Sequence, residues 1–120
     1  MPDVATTPGE LASKALAYLI EISPEMRGCA ILDSAGHVLA ASGSGRAWED
    51  AARELAGAAD AAGDEPVSHV HVSTGDGDVF LVRAENLSAV AVTERLTLAS
   101  LVLFDLRAAL HGVAAGEGGR

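Results

Sequence analysis

His69 and His71 stand two apart in the stretch VSHVHVST, the spacing that puts both imidazoles on one face of a β-strand. Paired imidazoles can ligate zinc or copper, but such a centre needs a third and usually a fourth ligand. His37, His111 and Cys29 are the remaining candidates, and no spacing in the sequence ties them to the pair. The competing reading is that Val70 and Val72 face one layer while the histidines face a more polar or intermolecular one. That reading is adopted, and no metal is assigned.

A second stretch, LAASGSGRAWEDAA from Leu39 to Ala52, runs from apolar residues through a glycine-rich loop into a helix start. Backbone N–H groups at a helix N-terminus attract anions, so this order raises the question of a phosphate site. The dinucleotide fingerprint needs a third glycine where Trp48 stands, and the P-loop needs a lysine, of which none follows Lys14. Asp64 and Glu65 lie at the distance of a ribose-binding acid, but beside Pro66 in the next loop. Glu49 and Asp50 already occupy the helix start, where they serve the macrodipole and would repel a phosphate. The loop is a connector.

Asp76-Gly77-Asp78 resembles a fragment of a calcium loop without the ligand run such a loop needs. Ser42, Ser44 and Ser73 lack the setting of a nucleophile elbow. Cys29, at a strand start, reads as a small core hydrophobe. Nothing here points to catalysis or to a bound cofactor, and the chain is not expected to be an enzyme.

The elements that carry these residues follow from local signals. Thr7-Pro8-Gly9-Glu10 forms a capping box ahead of a helix whose apolar face is Leu11, Ala15, Tyr18, Leu19 and Ile22. Ser23-Pro24 ends it. Two apolar runs, Cys29–Leu32 and His37–Ala41, flank Asp33-Ser34-Ala35-Gly36 and make an antiparallel hairpin. A second, alanine-rich helix aligns Trp48, Ala52, Leu55, Ala59 and Ala62 on one stripe, with Gly63 as its C-cap. VSHVHVST, DVFLVRA and LSAVAVT are three further strands, joined through Gly75-Asp76-Gly77 and Glu85-Asn86. The last helix, about Glu94 to His111, is apolar on most of its circumference and is expected to be largely buried. The fold class is therefore α+β: a five-stranded antiparallel sheet with helices on both faces, in the order α-β-β-α-β-β-β-α. Residues 1–7 read as an arm, 8–111 as a single domain and 112–120 as a flexible tail.

Composition narrows the function classes. The 120 residues carry a net charge of −9, and the eight basic residues are spread along the chain. Nucleic-acid binding and anionic membranes both need clustered Lys and Arg, so neither partner is expected. With one cysteine no internal disulfide can form, and a reducing compartment is the simplest setting. MPDVATTPGE lacks the features of a signal peptide, and Leu96–Leu110 is too short to span a bilayer. A cytoplasmic location is expected. Aromatics make up 3% of the chain, which leaves a core of Ala, Val, Leu and Ile.

The phrases MRGCAILDSAGHVLAAS, AENLSAVAVT and LASLVLFDLRAAL, in this element order, resemble the Roadblock family over roughly Gly9 to Leu110. The same order also fits profilin-like or sensor-type ligand-binding domains. The Roadblock resemblance implies a homodimer formed by the second helix and third strand, Ala47–Ala62 and Val67–Thr74. Its interface would contain Trp48, Ala52, Leu55, Ala59, His69 and His71. It further implies a non-enzymatic regulator or scaffold for a small Ras-like GTPase, a role in which some members stimulate hydrolysis by the partner, although no arginine stands out here as a finger. The alternatives are a small-molecule or metal-sensing domain on the same sheet, or a bare dimerisation module.

Overall fold

The computed structural model describes residues 7–42, 46–61, 68–73, 75, 77–94 and 98–116, with the side chains at 46–49 and 58–61 left aside. Helix α1 spans Pro8–Ile22 and opens as its sequence dictates. The Thr7 hydroxyl accepts from the Glu10 amide at 3.1 Å, and the Glu10 carboxylate accepts from the Thr7 amide at 3.2 Å. Strands β1 (Met26–Leu32) and β2 (Val38–Ser42) form the first hairpin. In its turn, Asp33 Oδ1 accepts from the amides of Ala35 and His37, both at 2.9 Å, and Gly36 takes a φ of +88°. That backbone conformation is one glycine adopts at no steric cost.

Helix α2 (Arg46–Ala61) then carries the chain across to β3 (His69–Ser73), β4 (Asp78–Ala84) and β5 (Leu87–Thr93), and α3 (Ala99–Ala114) closes the fold. Glu85 and Asn86 both have positive φ, +57° and +65°, the signature of a tight two-residue hairpin turn. All strand pairs are antiparallel, in the spatial order β2-β1-β5-β4-β3. The first hairpin therefore docks on the far end of the meander, and β2 and β3 are the two edges.

Strand alternation sorts the core into two layers. On one face α1 and α3 cover Cys29, Ile31, Phe80, Val82, Ala89 and Ala91. On the other, Ala52 and Ala56 of α2 sit over Ala30, Leu32, Leu81 and Val90. A methyl group buries little area, so the second layer is the thinner source of stability.

Four expectations need correction. The buried face of α1 is Ala12, Ala15, Leu16 and Leu19, whereas Tyr18 and Ile22 are exposed. Helix α3 starts at Ala99 rather than Glu94, after an N-cap, Leu98, that offers no side-chain bond. It is also only half covered, with Leu101 and Phe104 exposed, because α1 and the sheet reach it from one side. At its other end α3 runs on to Ala114 with Gly112 and Val113 buried, so part of the expected tail belongs to the core. The Gly63 cap lies outside the described residues. Among those residues, no helix is long and apolar enough to cross a membrane.

Candidate functional site

Among the described residues, strand β3 has β4 on one side and no strand on the other. Natural sheets blunt such edges with charge, proline or a bulge. The residues HVHVS carry neither Lys, Arg nor Pro, and they pair with β4 in unbroken register. All but the half-buried Val70 are exposed. An unprotected edge of this kind is a template for another strand.

The two histidines do lie on one face, and it is the face of α1 and α3. His71 is opposite Phe80 and stacks on it, with ring centroids 4.4 Å apart and planes 6° from parallel. Its Nε2 lies 3.1 Å from Oδ2 of Asp78, a carboxylate that is only 6% exposed. Phe80 and Asp78 thus fix both the plane and the direction of the imidazole. His69 is opposite Val82, and its Nδ1 lies 3.4 Å from the Ser68 hydroxyl. Val70 points the other way, into the α2 layer.

Of the six residues expected at an interface, the four whose side chains are described lie on two faces of the sheet. Ala52 is fully buried on its own sheet, so its methyl is not available to a second chain. Leu55 is half-buried at the margin of that layer. Trp48 and Ala59 lie on α2, but their side chains are outside the described set. His69 and His71 are on the opposite face of the sheet from Ala52 and Leu55. Helical periodicity located the stripe on α2 but not the direction in which it points.

A second feature is a cleft of about 480 Å³ where the β1–β2 turn, the middle of α2 and the β4–β5 turn meet. Two guanidinium groups line it, and each is tethered to a backbone carbonyl. Arg53 Nε donates to Gly36 at 3.2 Å, and Arg83 donates to Ala56 at 2.7 Å. Ser34, Asn86 and Ser88 complete a polar wall. Sequence reasoning did not find this cleft, because its walls come from three segments far apart in the chain. Asp78 was likewise read only as part of a turn and the first residue of a strand. Its diagonal relation to His71 across the β3–β4 hairpin was the available signal.

The other candidate groups are dispersed. Cys29 is buried, as expected for a core hydrophobe, and burial pushes its thiol up to about 12. His37 sits against Asp33 in its turn at 3.2 Å, and His111 against Glu85 at 2.7 Å. Among the described residues, no three His, Cys, Asp or Glu side chains of one chain are grouped to hold a metal. The glycine-rich loop, Gly43 to Gly45, and Asp76 of the calcium-like fragment lie outside the described residues.

No protein-family model matches the sequence, and no curated protein matches it. Solved structures do match the fold. MglB of Thermus thermophilus, described as a gliding protein, is 18% identical with a TM-score of 0.64, over 93% of this chain and 92% of that one. A Roadblock/LC7 domain from Streptomyces avermitilis is 14% identical with a TM-score of 0.63, over 93% and 99%. An MglB structure with a tetrameric arrangement is 16% identical with a TM-score of 0.60, over 96% and 90%. The chain has the Roadblock fold.

Proposed function

We propose that this chain is a non-enzymatic, homodimeric regulator or scaffold that binds a small Ras-like GTPase in the cytoplasm. The observation that carries the dimer is the open β3 edge on a Roadblock fold. Two copies related by a two-fold axis can pair β3 with β3 and merge their sheets. Leu55, at the margin of the α2 layer, sits where a second copy of α2 would approach, together with Trp48 and Ala59. The GTPase rests on fold analogy, a weaker warrant than a catalytic site. MglB, one of the matched proteins, was solved in a tetrameric arrangement, which supports self-association as a property of such domains.

Leu55→Arg tests the interface. The stem of an arginine can lie along the half-buried margin with its charge in water, so the fold is expected to survive. Sedimentation should then report a monomer where the unsubstituted chain is a dimer. A dimer of unchanged affinity would remove α2 from the interface. For the partner, tagged protein is used to capture proteins from source-cell lysate with GDP or a non-hydrolysable GTP analogue. A small GTPase retained in one nucleotide state is the expected result, and its absence in both would sink the regulator reading. The cleft favours a second reading, a sensor of small anions. Its volume falls within the range of small-molecule sites, and a thermal-shift screen with carboxylates and phosphates checks it.

A further inference from the structure

We infer that the seam between two copies is a metal site: one zinc-class divalent cation on the two-fold axis, held by His71 and His69 of both copies. The inference rests on the β3-edge dimer proposed above.

A single chain supplies only two imidazoles, too few for a closed zinc shell. Symmetry supplies the rest. In an antiparallel pair, residues directly opposite each other point to the same face. A two-fold axis perpendicular to the merged sheet keeps the histidine face of one copy on the histidine face of the other. The axis must then pass through a residue position. Centred on Val70, the pairing sets His69 opposite the second copy's His71, twice over. Centred on His71, it sets the two His71 residues opposite each other, with His69 diagonal to them. In both registers four imidazoles share one face. Opposite Cβ atoms are roughly 5 Å apart, and successive same-face residues on one strand roughly 7 Å. Imidazoles at those separations can turn inward on one ion, at metal–nitrogen distances of about 2 Å.

The surroundings of each ring are those of a ligand. His71 Nε2 is engaged by the buried Asp78 carboxylate at 3.1 Å, which leaves Nδ1 to coordinate. A carboxylate on the far nitrogen orients the ring, the outer-shell partner that metal-binding histidines commonly have. Stacking on Phe80 holds the ring plane. His69 has Nδ1 beside the Ser68 hydroxyl, which leaves Nε2. Both residues are exposed in the single chain. Charge favours the same outcome: each copy carries −9, and a cation at the seam offsets the repulsion of two such chains. Imidazole nitrogens with no thiolate or carboxylate in the inner shell suit zinc and copper over magnesium or calcium.

The test is a zinc chloride titration of chelator-stripped protein, read by calorimetry for stoichiometry and by sedimentation for the dimer dissociation constant. One zinc per dimer and a dimer at least tenfold tighter with zinc support the site. His71→Gln and His69→Gln should each abolish that gain; His69→Gln should do so at the melting temperature of stripped wild type, whereas His71→Gln also gives up the contacts to Asp78 and Phe80. Asp78→Asn, which changes a positioning residue, should weaken zinc by about 10- to 100-fold without removing it. A dimer equally tight with and without zinc overturns the metal site and leaves the β3-edge dimer standing, as does a double histidine variant that still binds one zinc per dimer. A chain that stays monomeric in both conditions overturns the two together.

Discussion

Two glycines should respond to the same added methyl group with opposite signs. Gly57 lies within α2, has open space where a Cβ would stand, and is exposed. Replacing a helical glycine with alanine removes chain entropy from the unfolded state, so Gly57→Ala should stabilise by about 0.5–1 kcal/mol. Gly77 precedes β4 with a φ of +154°, and a Cβ there would collide with the backbone carbonyl oxygen of Thr93. Thr93 is fully buried and pairs with Asp78 at the start of the β4–β5 ladder, so its carbonyl has nowhere to retreat. An alanine in that glycine-only region costs of order 1–3 kcal/mol, and a ladder hydrogen bond displaced by the collision about 1 kcal/mol more. Gly77→Ala should therefore destabilise by about 2–4 kcal/mol. For a domain of this size each kcal/mol moves the melting temperature by about 4 °C, which places the two variants about 10–20 °C apart. Urea unfolding followed by circular dichroism, run at two protein concentrations, measures both and separates folding from any change in association. Shifts of the same sign, or Gly77→Ala within about 0.5 kcal/mol of the parent, would refute the reasoning from backbone geometry.

Cys29 is inaccessible and its thiol is held protonated by burial, at about 12. A thiol reagent should leave the native chain unmodified and label one site per chain in denaturant. Prompt labelling of the native chain would show that β1 opens far more readily than a central strand should. The Asp105 carboxyl is held above the ordinary aspartate value by partial burial, and next by the charge of Glu25, against a hydrogen bond from Ser23. A group raised in this way binds its proton more tightly in the folded chain. Its favourable contribution is complete below the ordinary aspartate value and is lost as pH rises through the raised one. Asp105→Asn should accordingly stabilise the fold at neutral pH, by under about 1 kcal/mol for so partly exposed a group. The gain should vanish in acid, and an equal gain at both ends of the range would exclude the proposed cause.

The parts of this fold that were legible in the sequence are those fixed by neighbours in the chain. The Thr7–Glu10 capping box, the Asp33–Gly36 turn and the Glu85-Asn86 turn each hold their information within five residues. What could not be read depends on contacts between distant segments. Gly112 looks like a helix stop, but it is buried and α3 runs past it. Ala52 and Leu55 share a stripe whose direction is set only when α2 lands on Leu32 and Leu81. The histidine spacing was plain, but the carboxylate behind His71 appears only once β3 and β4 are in register. The cleft required two turns and a helix to converge.

The strand order has a consequence for how the chain is made. β1 is apolar and buried along nearly its whole length, and it lies between β2 and β5. Its second neighbour, β5, begins 55 residues after β1 ends, at Leu87 against Leu32. While the chain emerges from a ribosome, the first hairpin must wait with one side of β1 uncovered. Until β5 arrives that side is a ready surface for misassociation, and long-range pairing of this kind is also slow to form. A chain cut anywhere before Leu87 should therefore aggregate rather than fold in part. The small turn at Glu85 and Asn86, by delivering β5 directly from β4, is the step that ends the exposure.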